Sequence, residues 1–161
     1  LRLTRFGDVL STVMTHDASV QREFVATAID VMIDAYLIEI RRLDELGAVD
    51  PAKFRSWRAG TLGYVRSLEK SLEAIDLGAE IFIAQESDGA VRFVVGGDQI
   101  MLNAPRLADQ SNLEAALVER FCLRECSLAP SAASHGVCIC NVTAPTETYT
   151  LSLHGALPIS N

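Results

Sequence analysis

Apolar residues recur at helical spacing through the first half of the chain. The stretch FGDVLSTVM (6–14) places apolar residues at i, i+3, i+4, i+7 and i+8, which predicts a short amphipathic helix. A broad stripe between about Asp17 and Leu46 consists of Val25, Ile29, Met32, Ile33, Tyr36, Leu37, Ile40 and Leu43. A further stripe, spaced 3, 4, 4, 3, 4 and 3 residues apart, consists of Phe54, Trp57, Thr61, Val65, Leu68, Leu72 and Ile75. These patterns predict one short and two long helices.

The residues between the two long stripes predict where the helices end. Asp17 or Ser19 can accept hydrogen bonds from the first free amides of one long helix, and Gly47 suits the left-handed position that follows its last turn. Asp50 can cap the next helix, with Pro51 at its first position. The link GAVD is so short that the two helices must run antiparallel. A long helical hairpin is therefore predicted, with its stop at Gly78.

The pattern changes to that of short strands after residue 79. AEIFIAQ and AVRFVVG are rich in β-branched and aromatic residues, and ESDG between them is typical of a hairpin turn. Gly96–Asp98 provides a second tight turn into QIMLNAP. A three-stranded antiparallel meander results, and such a small sheet needs a helix on one face.

One more helix is predicted over residues 108–126. Its apolar residues Leu113, Ala116, Leu117, Phe121 and Cys122 are expected to face inward. Asp109 or Ser111 can cap it, and Ser111 with Glu114 fits a capping box. We therefore predict a single α+β domain over residues 1–126, with one helix packed on the sheet, followed by a small, polar linker or junction over 127–140.

The charge balance restricts the choice of partner. The 161 residues carry a net charge of −7, and Lys and Arg are interleaved with acids, as in EIRRLDE. Nucleic-acid binding requires clustered cations, so we predict no nucleic-acid partner. No apolar run approaches the roughly 20 residues that span a bilayer, so no transmembrane segment is predicted. Because residue 1 is Leu and not Met, we expect an N-terminally truncated fragment.

The stretch Asn141–Ile159, NVTAPTETYTLSLHGALPI, differs in texture from the preceding chain and carries one charge, Glu147. It closely resembles the conceptual translation of a short-read sequencing adapter. The resemblance runs without a gap and departs from the adapter reading only at Val142, Pro145, Thr148 and Gly155. It implies that residues 141–161 are a non-native tail without selected function. Tyr149, His154 and the glycosylation pattern at Asn141 are therefore excluded as candidate sites, and 127–140 is suspect as well.

The four cysteines form two closely spaced pairs. Cys122 and Cys126 lie one helical turn apart, and Cys138 and Cys140 follow in the junction. The four could form a zinc site, but the second pair lacks the usual spacing, and redox dithiols prefer C-x-x-C at a helix start. We favour a structural disulfide between Cys122 and Cys126. A disulfide in turn favours an exported, periplasmic location.

Other candidate chemistry is better explained by structure. His16 and Asp17 could form a general-base pair, but adjacent residues at a helix start point apart, so Asp17 is expected to be a cap. Asp30 and Asp34 could bind a cation, but they lack the Glu-x-x-His partners of a di-metal bundle, and a solvated face is favoured. His135 lies in the linker and is a weaker candidate.

Two further motifs could bind a ligand but have a simpler structural interpretation. The glycine-rich VGGDQ lacks a phosphate-loop pattern and leads into a strand, so a hairpin turn is favoured over a phosphate cradle. Trp57 with Arg55, Arg58 and Tyr64 could stack a ligand. Because Trp57 lies on the apolar stripe, however, core packing is the favoured interpretation.

No spacing supports a Ser/His/Asp or Cys/His constellation, so we assign no catalytic, cofactor or metal residue. The leading hypothesis is a non-catalytic accessory or interaction domain of a larger exported bacterial protein, which contacts a protein partner through the helical hairpin or the sheet edge. The alternative is a fragment of an enzyme whose active-site residues lie partly beyond the truncated ends. A cysteine-based metal or redox module is a third possibility.

Overall fold

A computed structural model describes residues 5–47, 50–106 and 108–128, with side chains as far as 124. Within these ranges the chain forms four helices and one three-stranded sheet, in the order α1 (Phe6–Met14), α2 (Ala18–Leu46), α3 (Pro51–Asp76), β1 (Ile81–Gln85), β2 (Val91–Val95), β3 (Asp98–Met101) and α4 (Gln110–Leu128). The predicted α+β architecture, with its helical hairpin and meander, is confirmed.

The predicted helix ends are formed by the expected residues. The Asp17 carboxylate accepts a hydrogen bond from the Val20 amide, and Asp50 accepts from the amides of residues 52 and 53. Gly47 ends α2 in the left-handed conformation with φ 62°. At α4 the cap is Asp109, whose carboxylate accepts from the Ser111 amide, so the helix begins one residue before Ser111.

The sheet is an antiparallel meander with the order β1-β2-β3. Ile83 is paired with Phe93, and Phe93 is paired with Ile100, so these residues share the face that is turned toward the helices. Phe93 and Ile100 are buried on this face. The opposite face carries Phe82, which is 58% exposed. Successive side chains of a strand point to opposite faces of the sheet. The register of the three strands therefore determines which side chains lie together on the core face.

Helix α2 is the centre of the fold, because α3 packs on one side of it and α4 on another. Both α2 and α3 also contact the sheet, whereas α4 packs chiefly against α2 and α1. Phe24 of α2 joins these layers. Its ring centroid lies 5.2 Å from that of Phe121 and 6.3 Å from that of Phe93, and both pairs are edge to face.

The core does not extend along the whole hairpin. Val65 is the first buried residue of α3, and the core continues from there through Leu68 to Ile75. Trp57 and Phe54 are only half-buried and do not belong to the core. The expectation that Trp57 packs in the core is therefore wrong, because within the described ranges the buried positions of α3 begin only at Val65, about two turns further along the helix.

Candidate functional site

His16 and Asp17 serve different helices and do not form a base pair of side chains. The His16 ring donates from Nδ1 to the carbonyl oxygen of Thr12 at 2.9 Å, at the end of α1. Asp17 is occupied as the N-cap of α2. Gln21 strengthens the same junction, because its Nε2 donates to the carbonyl oxygens of Val13, Met14 and His16 at 3.1–3.3 Å. The pair is therefore part of a helix connection, as the capping interpretation predicted.

Asp30 and Asp34 do not form a purely solvated face. Asp30 accepts a hydrogen bond from Arg124 at 2.9 Å, and Asp34 forms an ion pair with Arg120 at 2.9 Å. Arg124 also donates to Glu23 at 3.2 Å and to the Thr27 hydroxyl at 3.0 Å. Acidic and hydroxyl groups spaced along α2 thus face cations of α4, and this arrangement corrects the prediction of a solvated face.

The glycine-rich turn and the cysteines give different outcomes. Gly96 and Gly97 have φ of 57° and 94°, which is the geometry of a tight turn between β2 and β3. Cys122 is buried against the core, with 7% of its surface exposed. The side chain of Cys126 and all of Cys138, Cys140 and His135 lie outside the described residues, so the Cys122–Cys126 disulfide stays a prediction.

No metal or membrane site emerges from the described ranges. Among those residues, no three His, Cys, Asp or Glu side chains are grouped so that they could hold a metal ion. In the same part of the chain, no helix is long and apolar enough to cross a membrane. The adapter-like residues 141–159, with Tyr149 and His154, lie outside the described residues.

Two tyrosines connect the middle of the hairpin. The rings of Tyr36 and Tyr64 pack edge to face at 5.3 Å, and the Tyr36 hydroxyl donates to the carbonyl oxygen of Asn103 at 3.4 Å. Burial, with Tyr36 as a smaller cause, raises the pKa of Tyr64 to about 12. Burial and then the nearby Glu39 carboxylate raise the pKa of Tyr36. The pair joins α2, α3 and the segment after β3 near the middle of the hairpin.

Trp57 and Phe54 lie beyond the tyrosine pair, towards the α2–α3 link. Their ring centroids are 6.0 Å apart and their planes are tilted by 33°. On the facing helix Leu37 is 38% exposed and Leu46 is 60% exposed. The sequence motif of Trp57 with its neighbouring arginines is therefore a partly exposed aromatic surface.

The side of α3 next to its buried stripe is lined by charge. Seven positions spaced 3, 4, 4, 3, 4 and 3 residues apart define this surface, which we call the α3 flank: Arg55, Arg58, Leu62, Arg66, Glu69, Glu73 and Asp76. All are exposed except the half-buried Leu62. Its six charged side chains form no ion pair within the described part of the chain.

The charges of the α3 flank are sorted by sign along the helix. From Pro51 to Arg66 the helix has four cations and no acid, although the whole chain has 21 Asp and Glu residues against 14 Lys and Arg. From Glu69 to Asp76 acids predominate. The motif around Trp57 contains two of these arginines, but apolar spacing alone does not reveal the flank. The same helical spacing, applied to the charged residues, does.

The sheet edge, the other predicted contact surface, is smaller. β1 and β3 are the two edge strands, and Phe82 is the large exposed side chain on the outer face. On that face Arg92 already forms an ion pair with Glu86 at 2.8 Å. The α3 flank is longer, and its charges have no such local partner in the described ranges.

A scan against family models, a search of curated proteins and a search of solved structures all found no match.

Proposed function

We propose that this domain is a non-catalytic interaction module of an exported bacterial protein, and that the hairpin, through the α3 flank, is its contact surface. The observation that supports this most strongly is a row of six exposed charges that find no ion-pair partner among the described residues. Charges placed randomly for solubility are usually interspersed by sign, whereas these are segregated. Segregated charge gives orientation and specificity to a protein contact.

A half-buried aromatic ring beside the α3 flank supports the same function. Phe54 lies one helical turn from Arg58, packs against Trp57 with ring centroids 6.0 Å apart, and does not belong to the core. Aromatic residues and arginine are enriched in the cores of protein interfaces. A partner that covers the flank would also reduce the exposure of Phe54.

Site-directed photocrosslinking tests this function. A photoreactive phenylalanine analogue at Arg58 is compared with the same analogue at Asp88, an exposed residue in the turn between β1 and β2. The proposal expects a discrete adduct from position 58 and none from position 88. Equal labelling from the two positions, or no discrete adduct from position 58, would contradict it.

The exported location rests on the cysteine pair and is tested separately. A disulfide between Cys122 and Cys126 makes the mass of the unreduced protein 2 Da lower than that of the reduced protein, by the loss of two hydrogens. Peptide mapping then assigns the bond to this pair. Two free thiols at these positions in protein purified from an oxidising compartment would remove the argument for export.

A further inference from the structure

The order of charges on the α3 flank is self-complementary when a second helix runs antiparallel to it. Residues whose numbers add up to the same value lie opposite each other in an antiparallel pair. On the flank, Arg55 is matched with Asp76, Arg58 with Glu73, and Leu62 with Glu69, and each pair of numbers adds up to 131. The two outer pairs join opposite charges, and a two-fold axis near residues 65 and 66 generates each of them twice.

From this register we propose that the partner of the α3 flank is a second copy of this chain, bound through an antiparallel α3–α3 contact with two-fold symmetry. This inference rests on the proposed function and names its partner. A two-fold contact uses the same surface on both copies, so that surface must be complementary to itself. The flank meets this condition, because its cationic half faces the acidic half of the other copy.

The geometry of α3 allows this contact. With a rise of about 1.5 Å per residue, Arg55 and Asp76 each lie about 16 Å from the axis, and Arg58 and Glu73 about 11 Å from it. All four are exposed. Leu62, about 5 Å from the axis, lies opposite Glu69 of the other copy, so the charge complementarity comes from the two outer pairs.

Other occupants fit the flank less well. Residues 129–161 of the same chain contain one acid, Glu147. This segment therefore lacks the negative charge needed to pair with the arginines of the flank. An acidic peptide or an anionic membrane would match Arg55, Arg58 and Arg66 but would be repelled by Glu69, Glu73 and Asp76. A second copy matches both halves at once.

The contact is expected to be weak, for a reason that also provides a test. Exposed ion pairs contribute little each, and each copy carries a net charge of −7. Arg66 lies beside the two-fold axis, where it meets Arg66 of the second copy. Replacing it by an apolar residue removes this repulsion and enlarges the contact around Leu62. We therefore expect Arg66→Leu to strengthen self-association, a result that a purely electrostatic attraction to an acidic partner would not give.

Sedimentation velocity over 10 µM to 1 mM protein in 0.1 M NaCl tests the proposal. Wild-type protein is expected to dimerise reversibly. Arg58→Glu and Glu73→Arg are each expected to weaken dimerisation at least about tenfold, since each alters two contacts per dimer. The double variant Arg58→Glu with Glu73→Arg should restore it. Lys53→Glu is the matched control, because it reverses an exposed charge of α3 two residues from Arg55, on the other side of the helix.

Several outcomes would overturn the inference. The first is a wild-type protein that is monomeric up to 1 mM, and the second is an Arg58→Glu variant that dimerises like wild type. The third is a double variant that stays monomeric although both single variants are folded, as shown by a wild-type melting temperature. Arg55→Glu and Asp76→Arg provide an independent pair if one of the first variants fails to fold. A crosslink from position 58 to a different protein, with a monomeric wild type, would support the proposed function and contradict the second copy as partner.

Discussion

Replacing Phe24 by Ala should remove a large part of the domain's stability, because Phe24 is where α1, α2, α4 and the sheet meet. Its side chain has no exposed surface, and its ring is within 6.4 Å of three others, those of Phe6, Phe93 and Phe121. A buried Phe→Ala substitution costs about 3–5 kcal/mol through lost burial and the cavity that remains. Against a typical unfolding free energy of about 5–15 kcal/mol, this loss is about a fifth of the total or more.

Phe82→Ala is the matched control for Phe24→Ala. It makes the same chemical change on the outer face of β1, where the ring is 58% exposed and opposite Val94. A cross-strand contact of this kind contributes about 0.2–1 kcal/mol. The two variants should therefore differ by at least about 2 kcal/mol.

Urea unfolding measures this difference. With an m-value of about 2 kcal/mol/M, a loss of about 4 kcal/mol lowers the midpoint by about 2 M. Far-UV circular dichroism follows the whole domain, and the fluorescence of Trp57 follows the end of the hairpin. Coincident transitions would place both in one cooperative unit. Urea midpoints of Phe24→Ala and Phe82→Ala that differ by less than about 0.5 M would refute this account of the core.

Three further changes test other parts of the structure. Gly60→Ala should raise the unfolding free energy by about 0.5–1 kcal/mol in urea unfolding, since a Cβ there meets nothing within 4 Å and Gly is a poor helix former; a destabilised variant would contradict this. Arg124→Gln should lower it by about 1 kcal/mol, measured in the same way, because three hydrogen bonds to α2 are lost from a side chain that is 36% exposed; an unchanged midpoint would show that these contacts contribute nothing. Because the pKa of Tyr64 is raised to about 12, its contribution to stability is complete below pH 10 and disappears as pH rises to about 12. Tyr64→Phe should therefore reduce the loss of unfolding free energy between pH 10 and 12. An unchanged loss in this variant would assign it to other groups.

The adapter interpretation of residues 141–159 is also open to a direct test. We propose that this stretch derives from a sequencing adapter and not from the gene. Resequencing the source locus across residues 127–161 should replace the stretch with unrelated sequence. Recovery of the same reading from adapter-free DNA would contradict the proposal.

Features that depend on a few neighbouring residues were predictable from the sequence. Asp50 followed by Pro51 specifies a helix start by supplying an acceptor and a residue that needs no donor. Gly47 and Gly89 occupy backbone conformations with φ of 62° and 91°, which side chains disfavour. The apolar spacing of α4 likewise predicted which of its residues are buried, because this spacing depends on one helix alone.

Features that depend on two distant segments could not be read in this way. Asp30 meets Arg124 across 94 residues, and the spacing of acids on α2 does not indicate which element lies beside them. Periodicity also placed Trp57 on the apolar stripe of α3, but it did not indicate that the buried part of this stripe begins only at Val65. The α3 flank was accessible to sequence reasoning in principle, since its register needs only the order of charges along one helix.

Mixing two single variants tests the central claim, self-association through the α3 flank, most directly. Arg58→Glu places acids at both positions 58 and 73, and Glu73→Arg places cations at both, so each variant should be monomeric alone. In an equimolar mixture the two flanks are complementary, and sedimentation velocity in 0.1 M NaCl should detect a heterodimer at least as stable as the wild-type dimer. A mixture that sediments as two monomers, under conditions in which the wild type dimerises, would contradict the antiparallel α3–α3 contact.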